Sequence, residues 1–229
     1  MKKLLILDSN SIINRAFYGI RPLSAADGTP TNAIYGFLNI LAKLINEQKP
    51  DYLCAAFDLK APPFRHKMYD GYKAQRRPMP DDLRVQMPIA KDILRAMGVT
   101  MLEKEGYEAD DILGTLSAMA EKEGTETCVA TGDKDSLQLI SDKTFVMLAT
   151  NAEPVKYDTE KFKEKYGVLP AQFIDVKALM GDSSDNIPGV AGIGEKTALK
   201  LIADYGSLDG IYDGLDEKPL TPSVKKKLA

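Results

Sequence analysis

Lys3-Leu4-Leu5-Ile6-Leu7-Asp8-Ser9-Asn10 is the stretch on which the reading of this chain turns. Four consecutive large aliphatic side chains stop on an aspartate. The same figure returns at Cys54-Ala55-Ala56-Phe57-Asp58 and at Cys128-Val129-Ala130-Thr131-Gly132-Asp133. Runs this short and this continuously apolar read as strands covered on both faces. Apolar runs at 4–7, 52–57, 99–102, 127–131 and 145–148 predict five of them. Between them, residues 33–45, 82–97 and 110–121 carry apolar side chains at helical spacing, with Pro88 an awkward interruption of the second. Strands alternating with helices predict an α/β fold, a mostly parallel sheet flanked by helices. The carboxyl ends of such strands converge on one edge, so acids placed there are brought together.

With 229 residues, 44% of them hydrophobic, the chain has material for one large domain or two small ones. No apolar run approaches the ~20 residues of a membrane span. The N-terminal apolar stretch is too short and too soon acidic for a secretion signal, so a cytoplasmic protein without a membrane partner is expected. Two cysteines and one histidine are too few for a zinc site. Cys54 and Cys128 lie in strand-like runs and read as buried thiols in a reducing compartment. His66 has no evident acid and nucleophile beside it, which argues against histidine-dependent hydrolysis. The net charge of −3 hides a segregation. Nine of the 33 acids are clustered, and the other 24 are outnumbered by 30 lysines and arginines, an excess of six positive charges.

The nine acids are Asp8, Asp58, Glu108, Asp110, Asp111, Asp133, Asp135, Asp182 and Asp185. Each has an ordinary structural reading. Asp8 and Asp58 end strands, and an aspartate there suits a helix N-cap. Glu108, Asp110 and Asp111 open a helix, where acids complement the macrodipole. Glu108 and Asp111, spaced i, i+3, share a helix face, and Asp110 diverges from its neighbour. Asp133 and Asp135 follow a glycine and suit a turn, although in extended chain they would point the same way. Asp182 and Asp185 suit a capped loop. Five such clusters in order along an α/β chain favour one shared site over five coincidences. Carboxylates gathered at one edge resist ionising together, and a hard divalent cation such as Mg²⁺, or Mn²⁺ in its place, relieves that repulsion with oxygen ligands. No twelve-residue loop carries EF-hand spacing. Two ions ~4 Å apart would suit an in-line displacement at phosphorus.

Residues 60–80 break the alternation. Lys60, Arg65, Lys67, Lys73, Arg76 and Arg77 interleave with Phe64, Tyr69 and Tyr72 between bracketing prolines. The segment is too polar for core and is expected to stand off the sheet edge after Asp58. From about residue 166 the sheet pattern gives way to short helices at 170–181, 195–205 and 208–212, and Lys225-Lys226-Lys227-Leu228-Ala229 reads as an unfinished helix. Gly189-Val190-Ala191-Gly192-Ile193-Gly194-Glu195-Lys196-Thr197-Ala198 precedes an amphipathic helix. Gly192 and Gly194 let the backbone approach a phosphate, helix-start amides donate to it, and Lys196 and Thr197 add a charge and a hydroxyl. A Rossmann fingerprint fails because no strand precedes the loop, and a Walker loop fails on glycine spacing. A plain helix–helix turn is the simpler reading. The pattern resembles a helix–hairpin–helix, which grips duplex phosphates without reading bases.

The motifs Leu7-Asp8-Ser9-Asn10 with Arg15-Ala16-Phe17, Ala56-Phe57-Asp58, Phe64-Arg65-His66, Gly71-Tyr72-Lys73-Ala74-Gln75-Arg76, Glu108-Ala109-Asp110-Asp111, Thr131-Gly132-Asp133-Lys134-Asp135 and Gly181-Asp182-Ser183-Ser184-Asp185-Asn186-Ile187-Pro188-Gly189-Val190 occur in that order. With the hairpin following in register, they resemble the 5′-nuclease domain of bacterial DNA polymerase I, within the 5′→3′ exonuclease and flap endonuclease family. The resemblance covers essentially the whole chain. It implies a PIN-like nuclease core over residues 1–165 with a helical arch at about 60–80, and a helix–hairpin–helix DNA-binding subdomain over 166–229. In the family that subdomain continues past the position of Ala229, and a polymerase domain follows. The resemblance implies that all nine acids bind metal and that Lys73 and Arg65 act on the scissile phosphate. It further implies that Arg76, Gly192 and Gly194 contact DNA and that hairpin carbonyls can hold K⁺; Arg15, Tyr72, Arg77, Lys196 and Thr197 are expected to contact DNA beside them. Ser9 departs from the Asp-Gly start of many relatives.

The function expected is a divalent-metal-dependent, structure-selective 5′→3′ exonuclease and 5′-flap endonuclease on DNA, serving replication and repair such as Okazaki fragment processing. A monomer is expected to cut at 5′ ends or flaps, an RNA primer strand among them, with Tyr69 or Tyr72 stacking on an unpaired base. The alternatives are a PIN-type ribonuclease and a non-catalytic DNA-structure-binding protein.

Overall fold

The computed structural model describes residues 1–150, 153–213 and 215–229. In chain order the elements are β1 (Lys3–Asp8), α1 (Ser9–Gly19), α2 (Asn32–Gln48), β2 (Tyr52–Ala56), α3 (Phe64–Met68), α4 (Asp81–Ala96), β3 (Thr100–Leu102), α5 (Ala109–Lys122), β4 (Glu126–Thr131), β5 (Thr144–Leu148), β6 (Val155–Tyr157), α6 (Thr159–Tyr166), α7 (Phe173–Met180), α8 (Glu195–Tyr205), α9 (Leu208–Tyr212) and α10 (Pro222–Leu228). Short 3-10 turns occupy Lys134–Leu139, Pro170–Gln172 and Leu215–Glu217. Two compact units form: Met1–Phe64 with Pro78–Asp158, and Arg65–Arg77 with Thr159–Ala229. Among the described residues no helix is long and apolar enough to cross a membrane.

The first unit is built on a six-stranded sheet of order β3-β2-β1-β4-β5-β6. All neighbours pair parallel except β5 and β6. Strands β2 and β3 lie to one side of β1, and β4 and β5 to the other. The carboxyl ends of β1 and β4 therefore flank the point where the winding reverses, the crevice in which open α/β sheets hold their ligands. Side chains alternate between faces along each strand. Leu5 and Leu7 of β1 enter a cluster with Ile12 and Ile13 of α1, Phe37, Leu41 and Leu44 of α2, and Leu83, Ala90 and Leu94 of α4. Each such large side chain contributes roughly 1.5–3 kcal/mol by leaving water. Ile6 and Val129 point to the opposite face, where α5 lies against β1 and β4.

The five predicted strands are present, with ends shifted by a residue or so, and β6 is an addition. Three residues give too little pattern to announce a strand. Helix α1 is also an addition. It follows β1 without a break because the Asp8 side chain accepts the Ser11 N–H and caps it at once. Helix α6 is strongly polar and buries only Phe162 and Tyr166, spaced i, i+4. Helix α4 runs unbroken through Pro88, which sits on its exposed face.

Gln86 ties two helices of this unit together. It is fully buried. Its side-chain oxygen accepts the Ala33 and Ile34 N–H groups at 2.9 and 3.2 Å, in place of a capping side chain on α2. Its nitrogen donates to Asn32 Oδ1 at 3.1 Å and to the Asp82 carbonyl at 2.8 Å.

In the second unit, Phe162, Tyr166 and Phe173 form an aromatic cluster with ring centroids 4.7–5.3 Å apart. Val176 and Leu179 of α7 are buried, as are Ala198, Leu201 and Ile202 of α8. After α7 the chain makes a loop whose ends cross at Gly181 and Gly189. A Cβ on Gly189 would lie 2.2 Å from the Gly181 nitrogen, and Gly181 holds φ +74°. No other residue fits such a crossing. The loop carries Asp182, Asp185 and Asn186.

Replacing Gln86 by leucine leaves the α2 amides without an acceptor in a dry site. Gln86→Leu is expected to lower stability by about 2–4 kcal/mol. Urea unfolding followed by circular dichroism checks this; a midpoint equal to that of the parent protein contradicts it.

Candidate metal and nucleic-acid site

The strand-end acids of the first unit meet at the switch point. Asp8 closes β1, 4% exposed. Its Oδ1 accepts the Ser11 N–H at 3.2 Å and its Oδ2 accepts the Thr131 hydroxyl at 2.6 Å. The Thr131 Oγ1 in turn accepts the Asp133 N–H at 2.9 Å. Asp58, two residues beyond β2, is exposed; its N–H donates to Asn10 Oδ1 at 3.3 Å, and its Oδ1 accepts the Ala109 N–H at 2.7 Å. That bond places the Asp58 carboxylate at the first turn of α5, where Asp110 and Asp111 also sit. Asp111 Oδ2 accepts the Glu108 N–H at 2.9 Å. The turn after β4 packs closely: a Cβ on Gly132 would meet Ser11 Oγ at 2.9 Å and Arg15 Cδ at 3.3 Å. Arg15 therefore lies on α1 beside this edge.

Burial pushes the Asp8 carboxyl up to about 6. The Thr131 and Ser11 hydrogen bonds pull it back, and the charges of Asp58 and Asp133 raise it further. Asp8 thus feels the acids that follow β2 and β4 across the switch point. The donor set is entirely hard oxygen, which fits a divalent cation. As the side chains stand, no three acids, cysteines or histidines among the described residues close on a single ion position. Asp133 and Asp135 do not point the same way from extended chain. Asp133 caps the 3-10 turn Lys134–Leu139 by accepting the Asp135 N–H at 2.9 Å. The thiols offer no alternative ligand: burial pushes Cys54 up to about 11 and Cys128 up to about 12.

Asp182 and Asp185 belong to the second unit, where protein cations match them. Asp182 Oδ2 accepts the Lys177 ammonium at 2.6 Å. Its Oδ1 accepts the Ser184 N–H, the Ser184 hydroxyl and the Asp185 N–H at 2.8, 2.6 and 3.2 Å. Burial works to raise this carboxyl, but Lys177, Ser184 and the Asp185 amide together hold it well below the usual carboxylate range. Asp185 Oδ1 accepts Arg76 Nη2 at 2.6 Å, and its Oδ2 accepts the Tyr72 hydroxyl at 3.2 Å with the Lys73 ammonium 3.9 Å away. The Lys73 N–H donates to the Asp185 carbonyl at 2.8 Å.

The basic segment is thus a short helix, α3, followed by turns seated on the 182–188 loop. It groups with the C-terminal residues because of these bonds. Tyr72 is not placed to stack on a base: it is 4% exposed, its hydroxyl is held by Asp185, and its ring meets His66 edge-on with centroids 5.3 Å apart. Tyr69 is exposed. Arg65 is half-buried on α3, and Arg77 is exposed. At the hairpin, Gly192 has φ +78°, Gly194 caps α8, Lys196 is exposed and Thr197 half-buried. The Lys227 ammonium donates to the Gly192 carbonyl at 2.9 Å, so a cation of the chain itself stands where K⁺ is expected.

Sequence reasoning passes over Thr131, Ser11 and Asn10, which hold the strand-end acids, and over Asn186. Their common signal is a small polar side chain next to an acid, a pattern too frequent to single out.

The Asp8 geometry carries a pH dependence. An aspartate that titrates near 3.8 unfolded and about 6 folded binds its proton more tightly in the folded state. Protonation therefore favours folding at low pH, and that contribution is lost as pH rises from about 4 to 6. Above pH 6 the ionised Asp8 costs about 3 kcal/mol. Asp8→Asn removes this cost. In a chelator, the variant should be about 1–3 kcal/mol more stable than the parent protein at pH 8, with the gain gone at pH 4. Equal urea midpoints at pH 8 contradict this.

The family described as 5′-3′ exonuclease, N-terminal resolvase-like domain, matches residues 3–167, and the 5′-3′ exonuclease C-terminal SAM fold matches residues 168–229. DNA polymerase I of Caldicellulosiruptor bescii is 46% identical over 99% of this chain and 27% of its own length. That of Bacillus subtilis is 46% identical over 94% of this chain and 25% of its own. The chain spans about a quarter of the length of these curated relatives. The T5 D15 protein, crystallised with metal ions, shares the fold at TM-score 0.79, 22% identity, covering 99% of this chain and 84% of its own. The catalytic core of Rad2, solved with a DNA substrate, does so at TM-score 0.62, 19% identity, covering 99% and 70%. With both family regions matched end to end and the mostly parallel sheet in place, the chain belongs to the 5′-3′ exonuclease family of nucleases.

Proposed function

We propose that this chain is a structure-selective DNA phosphodiesterase that removes 5′ ends and 5′ flaps, as replication and repair require. The observation that carries the reading is the buried Asp8 carboxyl at the switch point, raised by its burial and by the nearby charges of Asp58 and Asp133. Divalent ions, Mg²⁺ by this reading, would be held by Asp8, Asp58, Asp133 and Asp135 together with Glu108, Asp110 and Asp111 of the α5 start. When bound, they supply water activation and stabilisation of the leaving oxygen. The chain's own groups do the rest. Thr131 and Ser11 hold Asp8, and the Ala109 N–H holds Asp58. Lys73, Arg65 and Arg76 supply positive charge for the phosphate. The hairpin at Gly192–Thr197, with Lys196 at its start, grips duplex phosphates, and K⁺ would compete there with Lys227. Arg15 of the first unit and Arg77 of the second each add positive charge for the DNA backbone. Tyr69, rather than Tyr72, is the side chain open to an unpaired base. A monomer in the cytoplasm completes the reading.

Asp182 and Asp185 are engaged by Lys177, Arg76 and Lys73, so a metal at these two acids would have to displace those cations.

The test uses a 5′-flap DNA duplex and its RNA-flap counterpart. Asp58→Asn should bind the DNA flap as tightly as the parent protein in chelator, measured by fluorescence anisotropy, and should cut it at least a hundredfold more slowly in Mg²⁺. A variant that turns over at the parental rate defeats the proposal, and preference for the RNA flap points to a ribonuclease.

A further inference from the structure

Asn186 has no part in the chemistry above, yet it occupies the centre of the contact between the basic segment and the 182–188 loop. Its amide nitrogen donates to the Gly71 carbonyl at 2.7 Å, and its amide oxygen accepts from Gln75 Nε2 at 3.0 Å. One side chain therefore clamps both ends of the turn that contains Lys73. The backbone at Asn186 is left-handed, φ 57°, a conformation asparagine tolerates better than most residues. Lys73 is left-handed too, φ 54°, which costs a lysine more and persists only where neighbours over-determine it. Those neighbours are at hand. Lys73 donates its N–H to the Asp185 carbonyl at 2.8 Å, and its own carbonyl accepts the Arg76 N–H at 3.0 Å. The Asp185 carboxylate then brings the Arg76 guanidinium and the Lys73 ammonium to one point, at 2.6 and 3.9 Å. A carboxylate and a phosphate make the same demand on a guanidinium fork. The turn is thus already folded so that two long cations converge on one anionic oxygen pair.

We propose that Asn186 is a positioning residue: its clamp on Gly71 and Gln75 fixes the turn that presents Lys73 and Arg76 together to a DNA phosphate. The inference rests on the reading of these two cations as phosphate-binding groups. It spares the phosphate complex the entropy of ordering two long side chains on a mobile turn.

The experiment compares Asn186→Gly, which keeps the left-handed backbone but drops the clamp, with Gln75→Ala, an exposed change on the other side of it. Three readouts are taken: kcat/KM on a 5′-flap duplex across a Mg²⁺ titration, flap affinity in chelator, and the rate of tryptic cleavage after Lys73 and Arg76 followed by mass spectrometry. Asn186→Gly should lower kcat/KM about tenfold, weaken flap binding severalfold and speed cleavage at both sites about tenfold, with the Mg²⁺ midpoint unmoved. Gln75→Ala should move the same readouts about threefold. In an Arg76→Ala background the tenfold effect of Asn186→Gly should shrink to about twofold, because the group it positions is gone. Unchanged tryptic rates in both variants, a shifted Mg²⁺ midpoint, or an undiminished loss in the Arg76→Ala background overturns the proposal. If the parent protein cuts no flap, the nuclease reading falls, while the tryptic and chelator-binding results still decide the role of Asn186.

Discussion

The Thr131 hydroxyl donates to Asp8 Oδ2 at 2.6 Å and accepts the Asp133 N–H at 2.9 Å, and so ties together two strand ends whose acids repel each other. Parallel β1 and β4 pair in register up to Leu7 and Ala130, so the next residues of both strands arrive at one edge. The register sets Asp8 beside Thr131, whose hydroxyl holds the Asp133 N–H in the turn that follows, and β2 leads to Asp58 on the other side. Hydrophobic burial on both faces of β1 drives this convergence, and the charge comes along with it. The result is a buried aspartate with a raised proton affinity at the crevice of an α/β sheet.

The strand-and-helix alternation was legible because burial on both faces leaves a continuous apolar signature, as in Leu4-Leu5-Ile6-Leu7. Helices α2 and α5 showed their period for the same reason. What stayed hidden has a common physical origin in polar contacts between residues far apart in sequence. Gln86 capping α2 links positions more than fifty residues apart, and no local pattern reports it. Nor does the 182–188 loop advertise that Asp185 and Asn186 seat the Tyr69–Arg76 turn. Tyr72 illustrates the cost: an aromatic in a basic segment suggests base stacking, but its hydroxyl found an acid 113 residues away and the ring went inside.

Asp8 and the acids of the 182–188 loop differ in how their charge is met. Asp182 has a lysine and three further donors, and Asp185 has two cations and a phenol. Asp8, by contrast, is met by a hydroxyl and an amide while facing other acids. Hydrogen bonds from neutral groups hold a carboxylate in place without cancelling its field, whereas ion pairs cancel it. By the proposed reading, Asp8 keeps its field for a cation, whereas Asp182 and Asp185 organise lysines and an arginine.

The central claim is that the strand-end carboxylates of the first unit share their negative charge with a divalent ion. Calorimetric titration of Mg²⁺ at pH 6, repeated in buffers of different ionisation enthalpy, tests it most directly, because a cation that binds beside Asp8 must displace the proton held there. With Asp8 titrating at about 6, roughly half a proton should leave per binding event at pH 6 and almost none at pH 8, with the release abolished in Asp8→Asn. Binding without proton release at pH 6, or release that survives Asp8→Asn, would contradict the account.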